Sequence, residues 1–198
     1  MRIIAGTKAR MTILPPRDRV TRPITDRVKE SLFAILGPYI ADTMVADLFC
    51  GTGSLGLEAV SRGARYAVMV DTDRDALMRL RKNIEKLRFQ DSTSVIRADV
   101  FQTGIPLKIR YNSPLPQDEP ELCDLVFIDP PYRLSRDVSL ESQLGRLLIK
   151  ISGQIADEAT IILRHERRTE PLPCYADLHQ FDQRIYGRMT LTFFEKKP

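Results

Sequence analysis

The chain has 198 residues, 43% hydrophobic and 28% charged, which suffices for one substantial core. No apolar run approaches the roughly 18 residues of a membrane span, and "MRIIAGTKAR" lacks the apolar segment of a secretory signal, so the expectation is a soluble, cytoplasmic protein. Cys50, Cys123 and Cys174 are far apart and odd in number, which supports neither a disulfide framework nor a zinc site, and no metal is expected.

The net charge of +4 is unevenly placed. Residues 1–36 hold eight Lys or Arg against three acids, while the remainder is close to balanced. A local basic excess is either solvated surface or an electrostatic footprint for a polyanion such as nucleic acid. In chain order, "RIIAGTKARMTILPP" has two β-prone runs around a glycine turn and reads as a hairpin closed by Pro15 and Pro16. "TRPITDRVKESLFAIL" follows with apolar Val28, Leu32, Ile35 and Leu36, an N-cap at Thr25 and a stop at Gly37-Pro38, which predicts a helix. Strands are then expected at 44–49, 66–70, 93–98, 122–128 and 160–164, and helices at 54–62, 73–88 and 140–151. A final hairpin over 180–186 and 189–195 flanks Gly187, and the proline-rich, polar segment 104–120 is expected as an exposed loop. Continuous apolar strands alternating with helices indicate an α/β protein with a mostly parallel, doubly wound sheet. Residues 1–36 read as an extension and 37–198 as the main domain.

The first chemical constellation is "VADLFCGTGSLGLEA". Gly51, Gly53 and Gly56 form G-x-G-x-x-G between a strand and a helix, with Asp71 at the end of the next strand. Glycines permit a tight turn and close approach to a ligand, and a strand-tip acid accepts from ribose hydroxyls, so a nucleoside site is expected. A nicotinamide-dependent oxidoreductase fits that much. Asp47 argues against it, because a carboxylate near the helix start repels a diphosphate and suits an ammonium group, such as that of the methionine moiety of S-adenosyl-L-methionine. Asp99, at the end of the third strand, stands where it could accept from an adenine amino group beside Val100 and Phe101, or could merely cap a loop. Phe49 and Thr72, next to these acids, complete the candidate cofactor set. Cys50 reads as a packing residue, since no histidine is near it in sequence; His165 and His179 read as surface residues.

The second is "LVFIDPPYRL". Ligands of doubly wound sheets bind beyond the carboxyl ends of the strands, where strand order reverses, and strands one and four are expected to border that crevice. Proline fixes φ and has no N–H, so Asp129-Pro130-Pro131-Tyr132 presents acceptors on a stiff backbone. An exocyclic amine is a fitting target. Hydrogen bonds to the Asp129 carboxylate and the Pro130 carbonyl would free its delocalised lone pair, and Tyr132 would stack on the base, worth about 1–3 kcal/mol.

Taken with "RPITDRVKESLFAIL", these two segments resemble the bacterial 16S rRNA (guanine-N2)-methyltransferase family. The likeness spans nearly the whole chain. Asp-Pro-Pro-Tyr is shared with amino-methyltransferases acting on DNA adenine, so it is the segment 22–30 that narrows the match. The resemblance implies a class I, Rossmann-like methyltransferase fold with seven strands, the last antiparallel, and S-adenosyl-L-methionine as cofactor. It further implies 16S rRNA or an assembling 30S subunit as partner, without an obligate protein partner, and an N-terminal extension that helps hold the RNA. On that basis Arg10, Arg17, Arg19 and Arg22 are expected on phosphates, and Arg27 and Lys29 over the cofactor or the RNA. Asp71 stands where glutamate is frequent in the family, Ala9-Arg10 where Gly-Arg is common, and the loop 104–120 is longer than usual. The rivals are a DNA or protein amino-methyltransferase and a non-enzymatic RNA-binding assembly protein.

Overall fold

Five of five buried positions in β1 (Met44–Leu48) mark a strand covered on both faces, and the rest of the architecture is built around it. The computed structural model describes residues 1–17, 24–106 and 122–197. Beside β1 lie β2 (Tyr66–Asp71) and β3 (Thr93–Arg97) on one side, β4 (Cys123–Ile128) and β5 (Ile155–Glu166) on the other, all parallel. β8 (Met189–Lys196) runs antiparallel against β5, and β7 (Leu178–Tyr186) and the two-residue β6 (Cys174–Tyr175) continue the sheet. The order is β3-β2-β1-β4-β5-β8-β7-β6. Strand order therefore reverses between β1 and β4, as expected, and the eighth strand beyond the seven anticipated is the short β6.

Alternation along β4 shows how one sheet feeds two cores. Leu125 and Phe127 join a cluster with Phe33, Leu57 and Leu80, whereas Val126 and Ile128 join one with Leu144, Leu148 and Phe194. The first face is covered by α1 (Asp26–Leu36), α2 (Gly56–Ser61) and α3 (Arg74–Leu87); α5 (Gln143–Ser152) packs on the second, next to the short α4 (Val100–Thr103). The caps follow local chemistry: Thr25 Oγ1 accepts from Val28 N–H, Asp73 from Asp75 and Ala76, and Ser142 from Gly145. The Ser142 cap starts α5 three residues later than its periodicity predicts.

The N-terminal residues fold back as expected, though with a single β-bridge, Arg2 to Thr12. Ile3 N–H donates to Met11 O and Ile13 N–H to Met1 O, at 2.9 and 3.0 Å. Ile3, Ile13, Val28 and Leu32 belong to the same buried cluster as Leu57 and Phe127. Polar ties reinforce this: Asn83 accepts from Leu14 N–H and donates to Thr52 O, and Lys86 donates to Thr12 O. No helix among the described residues is long and apolar enough to cross a membrane.

Candidate active site

β1 ends on Asp47-Leu48, and at Phe49 the chain turns sharply into the glycine loop. Phe49 has φ 61°, a costly region for a side-chain-bearing residue, and this turn sets its ring 5.6 Å from that of Phe101. Gly53, at φ 85°, leaves no room for a Cβ, which would lie 2.4 Å from Leu80 Cδ1. At Gly56 a Cβ would meet Met69 Sδ at 2.9 Å and Asp47 Oδ2 at 3.1 Å. That closeness is what lets Gly56 N–H donate to Asp47 Oδ2 at 2.8 Å.

Three acids converge at the strand tips. Asp47 is buried, and burial raises its pKa to about 8; Asp129 and Asp71 add to the rise and the Gly56 N–H opposes it. Asp71 is pinned by the N–H groups of Gly51 and Asp73, at 2.8 and 2.9 Å, one on each oxygen. Each oxygen keeps a second lone pair for a hydroxyl donor. Asp99 caps α4, accepting from Phe101 N–H at 3.0 Å, so the capping alternative describes one of its oxygens. Thr72, Arg97, Ala98 and Asp99 line an open cleft of about 300 Å³, and Val100, the next residue along the chain, is buried. The Cys50 thiol is buried and its pKa is pushed well up, first by burial and then by Asp47 and Asp71, consistent with a packing role.

Across the reversal point, Asp129 N–H donates to Leu48 O at 3.2 Å and continues the β1–β4 pairing by one residue. Pro130 is buried, and the Pro131 carbonyl accepts from Leu134 N–H at 2.8 Å, closing a turn that carries Tyr132. The Asp129 side chain is 19% exposed and paired with Arg164, a residue the sequence reading missed. Its only sequence signal is a lone cation at the end of the apolar run "TIIL". Burial raises the Asp129 pKa, Arg164 counters this, and Asp71 adds to the rise. Asp47, Phe49, Asp71 and Asp129 thus stand at neighbouring tips of β1, β2 and β4. Arg97, also unforeseen, donates to Thr72 O at the cleft rim.

Two expectations are corrected. Lys29 faces inward: it is 1% exposed, its ammonium lies 3.2 Å from Glu58 Oε2, and it donates to Arg2 O, so it braces the N-terminal segment and is not placed to lie over the cofactor or the RNA. Burial lowers its pKa and Glu58 raises it. His165 is fully buried, its ring within 2.7 Å of Thr192 Oγ1 and 2.9 Å of Glu166 O, because β5 runs past residue 164. Arg10 and Arg27 are exposed, and Arg17 is exposed 3.9 Å from Asp75. Arg19 and Arg22 lie outside the described residues, as does most of the segment 104–120.

Comparison with known proteins then places the chain. The family description "Conserved hypothetical protein 95" matches residues 1–195. The chain belongs to this family. It is 30% identical over 203 residues to the Escherichia coli K12 protein named Ribosomal RNA small subunit methyltransferase D, covering 100% of this chain and 90% of that one. A solved hypothetical protein of Thermus thermophilus superposes with a TM-score of 0.77 at 25% identity, over 98% of both chains. An RNA methyltransferase of Salinibacter ruber, solved with S-adenosyl-L-homocysteine, covers 88% of this chain and 94% of its own at a TM-score of 0.59 and 13% identity, a likeness of fold alone. Family membership bears out the resemblance carried by the glycine loop, Asp-Pro-Pro-Tyr and the segment 22–30, and the sheet is that of the class I methyltransferases.

Proposed function

We propose that the protein transfers the methyl group of S-adenosyl-L-methionine to the exocyclic N2 amine of a guanine in the RNA of the small ribosomal subunit. The observation that carries this is the place of the Asp129 carboxylate, at the tip of β4 directly across the strand reversal from the glycine loop. The residues suit that cofactor. Asp47 is a buried carboxyl among other acids, a setting relieved by a cationic group, and would hold the amino end. Asp71 would hold the ribose, and Asp99, Val100 and Phe101, with Phe49 and Thr72, the adenine side of the cleft. When bound, the cofactor supplies an electrophilic sulfonium methyl group.

The chain's own residues do the rest by orientation. Asp129 and the Pro130 carbonyl accept the two N–H groups of the amine, which draws the nitrogen lone pair out of conjugation with the ring. Tyr132 stacks on the base and sets its plane, so much of the rate gain is positional. The proton leaves the nitrogen to Asp129 or to water. A base reaches this crevice only when unstacked from its RNA, at a cost of a few kcal/mol that a looped base largely avoids. The name of the Escherichia coli relative supports small-subunit RNA as substrate, and the exposed Arg10, Arg17 and Arg27 suit its phosphates.

The decisive experiment is transfer of a tritiated methyl group to 30S particles and to naked 16S rRNA from a strain lacking this enzyme, followed by mapping of the modified base. Label at a guanine N2 is expected. Label on adenine N6, on DNA or on protein would overturn the assignment.

A further inference from the structure

Arg164 stands level with Asp129. Ile128 pairs with Leu163 in the β4–β5 register, so the next residue of each strand emerges at the same tip, and β5 is held out that far by pairing with β8, where Arg164 faces Leu191. The guanidinium Nε pairs with Asp129 Oδ1, and its central carbon lies 5.6 Å from the centroid of the Tyr132 ring. At 7% exposure against 19%, the arginine is the enclosed partner and the carboxylate the one that opens on the crevice.

We propose that Arg164 is a positioning residue for the transfer: by holding Oδ1 it fixes the rotation of the Asp129 carboxylate, leaves Oδ2 for the amine, and backs the Tyr132 ring. This rests on the assignment of Asp129 as the amine acceptor. An arginine suits the task because its planar fork is rigid and its charge permanent, whereas a lysine would offer a mobile point charge. The charge matters as much as the hold. Asp129 is faced by Asp47 from β1, Asp71 from β2 and Arg164 from β5, with Tyr132 on its own turn. Burial and Asp71 push its proton affinity up, and the guanidinium works against both. A protonated Asp129 would have one oxygen occupied as a donor and would lose its grip on the amine.

An ion pair that merely held β4 to β5 would change the melting temperature and the Asp129 titration when broken, but would leave the rate of transfer and its acidic limb where they are. Titration of the full-length protein, labelled with aspartate carrying ¹³C at the γ carbon, read beside transfer separates the two roles, with the Asp129 resonance assigned by its loss in D129N. In R164Q the Asp129 titration midpoint is expected to move up by about one pH unit or more. Single-turnover transfer at neutral pH is expected to fall at least about tenfold, its acidic limb displaced upward with the midpoint, while cofactor affinity by calorimetry stays within about twofold. R164K is expected to keep the midpoint within about half a unit and still to lose several-fold in transfer, because the fork is gone. An unmoved midpoint in R164Q, or transfer and an acidic limb left at wild type, would overturn the proposal. Should R164Q not fold, R164K with wild-type transfer overturns it instead. The carboxyl titration needs no RNA, so it tests the hold of Arg164 even if the wild-type protein methylates no ribosomal RNA, an outcome that would sink the assigned function separately.

Discussion

Lys29 and Glu58 meet at 3.2 Å with neither side chain more than 1% exposed. Glu58 also accepts the N–H groups of Ile4 and Ala5, at 2.7 and 3.0 Å, and the Arg62 guanidinium at 2.8 Å. The N-terminal segment and α1 are thereby buttoned onto α2, the helix that follows the glycine loop, and Lys29 reaches Ser54 within it. Removing the acid alone leaves a buried ammonium without its counter-charge, which typically costs about 3–5 kcal/mol. E58Q should lose stability on that scale in urea titration, whereas the paired change K29M/E58Q should lose less. Equal losses would show that the backbone bonds, and not the charge pair, hold the segment.

Asp47 makes the stability of the ligand-free protein depend on pH in an unusual direction. Its folded pKa of about 8 stands above the roughly 3.9 of an unfolded aspartate. Between those values the folded state keeps a proton that the unfolded chain releases, so this residue's contribution falls as pH rises from about 4 to about 8 and levels off above. Asn at this position can still accept from Gly56 and never ionises. Ligand-free D47N should therefore gain on wild type as pH rises, by a few kcal/mol at pH 8 and far less at pH 5. Urea titrations at the two pH values check this, and a gap that does not widen would remove Asp47 as its source. The same variant should bind S-adenosyl-L-methionine more weakly, since the charge that would meet the ammonium is gone.

Asp129→Asn keeps the shape of the side chain and removes its charge. Transfer should drop at least about 100-fold, the scale of a lost proton-handling group, with cofactor affinity little changed because Asp129 faces the acceptor side of the crevice. Single-turnover assays beside calorimetry separate the two quantities. Turnover near wild type would mean that the amine is held by other groups.

What could be read from the sequence was what its neighbours along the chain determine. The glycine loop, the Thr25 cap and the Asp129 turn are each specified within a few contiguous residues, and the alternation of apolar runs gave the parallel sheet. Arg164 and His165 escaped because the length of β5 is set by β8, which pairs with it from residues 189–195. Ending the strand at 164 made the arginine a terminus and the histidine surface, whereas the register puts one at the crevice and the other in the core. Lys29 was misjudged for a related reason. Charge gives no helix face, and the acid that draws this lysine inward lies two elements away on α2.

The exposed arginines of the N-terminal segment remain the candidates for RNA contact, and the fold dictates how to test them. Deleting the segment would be uninformative, since Ile3 and Ile13 are core residues and Glu58 would lose its backbone donors. Single side chains can be removed without that damage: Arg10 is exposed, and Arg17 is 75% exposed with Asp75 no nearer than 3.9 Å. A solvated pair at that distance is worth little and leaves the guanidinium available to a phosphate. Each contact with a phosphate displaces condensed counterions, so losing one should reduce the slope of log K against log salt by about 0.7–0.9. R10Q and R17Q should each flatten the slope by that amount and weaken binding to 16S rRNA across sequences, while melting temperature and cofactor affinity stay at wild-type values. Filter binding across a salt series measures it. A slope identical to wild type in both variants would take these residues off the RNA and leave the basic excess as solvated surface.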